Sequence, residues 1–291
     1  MARAAEHRAG MDYLVSLPRR WVTVYLPLGA FLVVLLFPFY WMTMTSFKTN
    51  EELYDYKTYN PFWLAHPTLA NFHKLLFETD YPNWLWNTVV ISVLATFLSL
   101  FASVFAAYAI ERLRFTGARY VGVAIFLAYL VPPSILFIPL AVIVFQLGLF
   151  DSIWALVLTY PTILIPFCTW LLMGYFKSIP YELEECALID GATRLQILWK
   201  IILPLAVPGL ISAGIFAFTL SWNEFIYALT FISSSEFKTV SVGTVTELVE
   251  GDVYHWGSLM AGALVGSLPV AILYSFFVEH YVSSMTGAVK E

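Results

Sequence analysis

The residues best placed for chemistry fall in two stretches. The first is KSIPYELEECALIDGATRLQILWKIIL, residues 177–203, in which Glu182, Glu184 and Glu185 crowd together ahead of Asp190-Gly191. Three carboxylates in the first turn of a helix complement the positive end of its dipole and offer charge to whatever the helix meets. Cys186, Ala187, Gly191 and Ala192 keep one surface of this element small, so that another protein can approach closely. The second stretch is Trp222-Asn223-Glu224, late in an apolar run. An acid at the bilayer centre costs about 2.5–3.5 kcal/mol, so Glu224 has to face protein or water. Asn223 adds hydrogen-bonding capacity, and Trp222 has a flat apolar face available for stacking. Two readings stay open there: contact with a polar solute, or structural duty at an outer interface. Other chemistries are missing from the sequence. No HExxH or GxSG pattern occurs, and the absence of any GK dipeptide excludes a Walker A phosphate loop. Two cysteines, Cys168 and Cys186, make neither a disulfide framework nor a zinc site. No catalytic residue and no metal site is expected.

These residues must be held by elements that suit the composition. Of 291 residues, 60% are hydrophobic and 12% charged, about half the charge of a water-soluble domain, and the mean hydropathy is +0.76. A disordered chain, a nucleic-acid binder and a cytosolic enzyme are excluded. The composition is that of an integral membrane protein. Apolar stretches of about 20 residues cross the hydrocarbon core as helices. They occur at about 21–45, 86–110, 120–147, 153–176, 205–231 and 259–277. A β-barrel needs alternating polarity, and these runs are continuous. The first run is roughly twice as long as a signal-peptide core, and Lys48 with acids follows it instead of a cleavage site, so it is expected to stay in the mature protein.

The expected fold is all-α, with a six-helix membrane domain at 21–291 behind a cytoplasmic segment at 1–20. With the N-terminus in the cytoplasm, the inner segments hold eleven of the fifteen Lys and Arg residues and the outer ones four. The positive-inside rule then puts both termini inside. Pro132-Pro133 is expected to kink or unwind the third span. Gly262 and Gly266 form a GxxxG close-packing signal in the sixth. The outer segments 46–85 and 232–258 are acid-rich and fit either solvated caps or a docking surface for an extracytoplasmic protein.

Residues 177–203 exceed what a turn between spans needs and read as helical. Pro180 suits a first helical turn, and Asp190-Gly191 supplies a bend. Thr193 can cap a second helix with Leu195, Ile197, Leu198, Ile201 and Ile202 at helical spacing. A helix resting on lipid favours Lys and Arg. Three close carboxylates favour a protein partner instead.

The loop resembles the EAA motif of ABC importer permeases. Glu185-Cys186-Ala187 is followed by three residues, then Gly191, and the stretch closes on Ile201-Ile202-Leu203-Pro204. Cys186 stands where that family usually has Ala, and both are small. The resemblance runs along nearly the whole chain, to the maltose-type carbohydrate branch. It is carried by Trp41-Met42, Ser46-Phe47-Lys48 and Glu51-Glu52 around the end of the first span, and by Asn87-Thr88 opening the second. Ala107-Tyr108-Ala109 with Arg112, Phe115, Gly117 and Arg119 follows, then Trp222-Asn223-Glu224-Phe225, and Gly287-Ala288-Val289-Lys290 at the close.

The resemblance implies a permease subunit in a bacterial or archaeal cytoplasmic membrane, forming half of a pathway for a carbohydrate. A homologous second permease would pair with it, and an extracytoplasmic binding protein would deliver the solute. Two ATP-binding subunits would hold ATP and Mg, and the coupling helix within loop 177–204 would meet one of them. On that reading Glu185 makes the charged contact, with Cys186 and Ala187 at the close approach. Gly191 permits the turn, and Asp190 and Arg194 brace it. Trp222, Asn223 and Glu224 are the candidates for the solute pathway. No Lys or Arg falls within a span, which favours a neutral carbohydrate. The alternative is an ion-coupled secondary transporter of a small polar solute. Such a protein normally places ionisable groups near the midplane, and that reading leaves the loop unexplained.

Overall fold

The computed structural model describes residues 17–55, 60–113, 115–250 and 253–287. Arg3, Arg8, Lys57, Arg114 and Lys290, which enter the charge count, lie outside the described residues, as does most of the closing Gly287–Lys290 motif. The described residues are overwhelmingly helical, as they must be where each segment satisfies its own backbone groups in lipid. Strand pairing among them is confined to a two-residue antiparallel ladder, Val249↔Tyr254 and Glu250↔Val253. Four helical stretches are long and apolar enough to cross a membrane: Trp21–Ser46, Tyr81–Leu113, Ile153–Ser178 and Trp256–Phe277. Two bent helix pairs raise the number to six if each pair is one span. Contacts divide the chain into two compact units.

The first unit comprises residues 1–72 and 255–264. A π-helical turn, Trp21–Tyr25, leads into α1 (Leu26–Ser46). Phe31, Val33, Val34 and Leu36 are all exposed on it, and a helix that is apolar all round belongs in lipid. Beyond Ser46 the chain turns polar and folds on itself. The Thr49 hydroxyl accepts the Glu52 N–H at 3.2 Å and caps α2 (Asn50–Tyr54). Lys48 and Glu52 are both buried and lie 3.9 Å apart. The Lys48 ammonium also donates to the Asn60 carbonyl, and the Glu52 carboxylate accepts the N–H groups of Ala65 and His66. Burial pulls the Lys48 ammonium below its ordinary value, and Glu52 opposes that shift. Asn71, in α3 (Ala70–Phe77), donates to the Ser46 and Lys48 carbonyls at 2.9 and 2.7 Å. The stretch after α1 is therefore held by a polar network.

The second unit comprises residues 73–254 and 265–291. Its centre is α4 (Tyr81–Tyr108), continued to Leu113 as a π turn. Ala95, Ser99, Ser103 and Ala107 recur every four residues and are buried, a stripe of small side chains that lets neighbouring helices approach closely. Near its start α4 grips the segment after residue 231. Trp84 Nε1 donates to the Ser235 carbonyl at 2.7 Å, and the Asn87 amide donates to the Glu236 and Lys238 carbonyls. The Thr88 hydroxyl accepts the Val240 N–H at 2.9 Å. Next come α5 (Ala118–Tyr129), α6 (Pro133–Gln146), α7 (Ile153–Thr159) and α8 (Pro161–Ser178). Then follow α9 (Glu182–Ile189), α10 (Arg194–Ile197), α11 (Val207–Trp222), α12 (Ile226–Phe231) and α13 (Val240–Glu247). The last helix, α14 (Trp256–Gly287), begins in the first unit and ends in the second. α8 and α11 pack on α4 and on each other. Gly209 of α11 sits where a Cβ would fall 2.4 Å from the Tyr175 ring.

Three expected spans change shape. The second begins at Tyr81, five residues early, with Pro82 in its first turn. The third is two helices, α5 and α6, meeting at 97°, because Pro132 and Pro133 carry no N–H to continue the ladder. The fifth is not a continuous run over 205–231. The stretch Arg194–Leu205 meets α11 at 79°, and helix stops at Trp222 and restarts at Ile226. The cause is Glu224, whose carboxylate takes the N–H groups of Tyr227 and Ala228 at 2.8 and 3.0 Å, as a capping side chain does.

Asp151 fixes the turn between α6 and α7. It adopts φ +60, and its N–H donates to the Phe231 carbonyl at 2.8 Å. Its carboxylate accepts the Ser234 hydroxyl and the N–H groups of Ser233 and Ser234. These bonds, the Ser234 hydroxyl foremost, hold the carboxyl below its ordinary value of 3.8. A depressed carboxyl stabilises the fold above its unfolded pKa, and the gain is lost as pH falls through the folded one. Asp151→Asn is expected to melt below the parent at neutral pH. The two should converge once acid protonates the native carboxyl, as thermal unfolding in micelles across pH will read.

Candidate functional site

Residues 177–205 fold as a two-helix element. α9 carries Glu182, Glu184 and Glu185 in its first turn. It ends with the Gly191 N–H donating to the Leu188 carbonyl at 3.0 Å and the Ala192 N–H to the Ala187 carbonyl at 2.9 Å, a Schellman motif. Gly191 has φ +85, a conformation that costs other L-residues roughly 1–2 kcal/mol. Thr193 then opens α10 with a capping box. Its hydroxyl accepts the Gln196 N–H at 3.3 Å, and its own N–H donates to the Gln196 side chain at 2.8 Å. Both sides of the bend are fixed by hydrogen bonds.

What holds this element to the spans was missed by sequence reasoning. Glu184 is buried, and its carboxylate pairs with the equally buried Arg112 guanidinium at the end of α4. Arg112 also donates to the Ile179 and Pro180 carbonyls at 2.9 and 3.4 Å, and it lies over the Tyr181 ring at 4.0 Å. The Tyr181 hydroxyl donates to the Glu111 carbonyl at 2.8 Å, and the Tyr108 hydroxyl donates to the Arg194 carbonyl at 3.3 Å. The Arg194 guanidinium approaches Glu184 from the exposed side at 3.6 Å. The Asp190 side chain makes no hydrogen bond among the described residues, while its N–H donates to the Cys186 carbonyl at 3.0 Å.

The rest of α9 faces outward. Glu185 and Cys186 are exposed, and Ala187 is partly covered. Beside them Ile189 is 86% exposed, and Leu183, Leu188 and Leu195 are also open. An apolar surface rimmed by carboxylates is the outline of a protein-binding face. Ile189 was not singled out from the sequence, where it reads as one more apolar residue in a helix.

A second cluster forms where three spans lose regular helix. Pro133 at the start of α6, Tyr160 between α7 and α8, and residues around the 223–225 break line one cavity of about 260 Å³. Asn223 and Glu224 both line it. The Asn223 amide is exposed and donates to the Thr219 carbonyl at 2.9 Å. Trp222 lies elsewhere: it is buried, Nε1 donates to the Gly266 carbonyl at 3.1 Å, and its ring stacks on Phe218. The structure thus brings Asn223 and Glu224 together and sets Trp222 into packing. Irregular backbone at membrane depth is tolerated where it lines such a cavity. Hydrogen-bonding groups over an apolar floor can hold a polar solute. Among the described residues no group of three His, Cys, Asp or Glu side chains could hold a metal ion.

The comparisons with known proteins agree with this architecture. Residues 99–287 match the family described as the binding-protein-dependent transport system inner membrane component. The chain is 39% identical over 259 residues to the sulfoquinovosyl glycerol transport system permease protein SmoH of Agrobacterium fabrum, covering 88% of this chain and 89% of that one. It is 33% identical over 278 residues to the trehalose/maltose transport system permease protein MalG of Thermococcus litoralis, covering 92% and 96%. A chain of a bacterial ABC transporter that imports the acidic polysaccharide alginate shares the fold, with a TM-score of 0.77 at 23% identity over 91% of this chain and 97% of that one. The protein belongs to the inner-membrane permease family of binding-protein-dependent transport systems: it is a multi-pass transport subunit and not an enzyme.

Proposed function

We propose that the chain forms half of the transmembrane pathway of an ATP-driven importer for a carbohydrate. The observation that carries this reading is the two-helix element at 177–205, stiff at its bend, anchored to α4 through Glu184, and open on an acid-rimmed apolar face. Energy released on another subunit can move spans only through a contact that does not yield. Here α9 is the coupling helix, Glu185 and Ile189 meet an ATP-binding subunit, and Cys186 and Ala187 let it approach. Gly191 makes the turn, the Gly191 and Ala192 N–H groups close it, and Arg194 braces it through Glu184. ATP and Mg belong to two partner subunits. A second, homologous permease completes the pathway, and a binding protein delivers solute from outside.

Both bent pairs count as spans on this reading, giving six from 21 to 291. Segment 1–20, the loop 177–204 and both termini lie in the cytoplasm, as the Lys and Arg distribution favours. The solute passes the cavity at the 223–225 break, where Asn223 and Glu224 offer hydrogen bonds and Trp222 supports them from behind. The relatives' names and the six runs free of Lys and Arg support a sugar, oligosaccharide or polyol.

The test is ATP hydrolysis by the co-expressed complex in lipid, with its binding protein, across a panel of neutral sugars. Stimulation by one sugar, weakened by Glu185→Ala, is the expected result. Uptake that follows a proton or sodium gradient without any ATPase overturns the reading.

A further inference from the structure

A cavity of about 620 Å³ opens where the π turn after α4 meets α5 and α8. Its lining runs from charged to apolar. Glu111 lines it from the π turn and Arg119 from the first turn of α5, Gly122 and Val123 follow one turn along that helix, and Phe126 lies a turn further, against Trp170 with ring centroids 5.9 Å apart. From Arg119 to Phe126 the helix rises about 10 Å, enough to pass from a headgroup into the first methylenes of an acyl chain. Gly122 lets α5 pack closely on its neighbours at the cavity wall, since a Cβ there would lie 3.2 Å from Met173 and 3.3 Å from Ile110. Neither the Arg119 nor the Glu111 side chain has a hydrogen bond or ion pair among the described residues.

Opposite charges at the mouth and an apolar slot behind them outline a zwitterionic amphiphile. We propose that this cavity binds one phosphatidylethanolamine molecule, its phosphate on Arg119, its ammonium on Glu111, and the upper part of one acyl chain along Gly122 and Phe126. Basic pockets between membrane helices near the cytoplasmic surface suit phospholipid headgroups. The carboxylate makes the difference here. It repels an anionic headgroup, and a choline headgroup has no N–H to give it. The leaflet follows from the sidedness proposed above, but the site itself does not depend on it.

The experiment is native mass spectrometry of the intact delipidated complex titrated with dioleoyl phosphatidylethanolamine, phosphatidylglycerol or phosphatidylcholine. Retention should favour phosphatidylethanolamine, and Arg119→Gln should weaken it about fivefold, the size of one basic contact. Glu111→Gln should bring phosphatidylglycerol to parity. Both positions are at the cavity mouth, so melting temperatures should stay near the parent's. Equal retention of the three lipids by the parent overturns the proposal. So does selective retention that survives both substitutions, as it would if a partner subunit covered the cavity.

Discussion

Arg112→Ala is expected to lower stability by about 3–5 kcal/mol, the usual cost of leaving one partner of a buried ion pair alone. Among the described residues, Glu184 would keep only the Arg194 guanidinium at 3.6 Å, on its exposed side. The carbonyls of Ile179 and Pro180 would lose their donor at the same time. The melting temperature of the purified permease should fall by many degrees. A double replacement, Arg112→Met with Glu184→Leu, removes both charges and should recover much of that loss, because well-packed apolar pairs often match buried ion pairs in stability. Coupling should not recover with it. Methionine and leucine cannot hold the two carbonyls and the Tyr181 ring, so α9 stays attached but no longer in register with α4. Melting curves beside transport-coupled ATP hydrolysis separate the two effects. A double variant that couples as well as the parent would show that packing alone positions the loop.

Ile189→Asp should behave in the opposite way. The side chain is 86% exposed, so the permease alone should melt within about 0.5 kcal/mol of the parent. If α9 docks on an ATP-binding subunit, Ile189 is the apolar group with most surface left to bury. A central interface residue is worth about 2 kcal/mol or more, which corresponds to roughly thirtyfold weaker association. Affinity between the permease pair and its ATPase, measured in nanodiscs, reads this directly. Unchanged affinity would move the docking face away from α9.

Local features of the loop were legible in the sequence, for local reasons. Asp190-Gly191 and Thr193 act within a few residues of themselves, through a positive φ and a capping box, and both consequences follow from residue type. Pro132-Pro133 likewise announced the break in the third span. The Arg112–Glu184 pair spans 72 residues, and no spacing rule joins two such charges. The 223–225 break hid inside an apolar run because Glu224 read as an isolated acid, while its carboxylate in fact replaces the helix's own acceptors for α12. Trp222 looked available for stacking, but its orientation depends on how closely Gly266 lets α11 and α14 approach within the second unit. Tertiary packing decides such cases.

One consequence concerns how force travels. Tyr81–Leu113 is a single 33-residue rod, about 50 Å long at 1.5 Å per residue. Arg112 clamps one end to α9, and Trp84, Asn87 and Thr88 clamp the other to the chain at 235–240. A rocking of about 5° would displace the far end by roughly 4 Å. No relay of side-chain rearrangements is needed between the two clamps. The delay between a push on one face and a shift on the other would then be set by how fast a stiff helix pivots against its small-residue seam, and friction along Ala95, Ser99, Ser103 and Ala107 becomes a brake that mutation can tune.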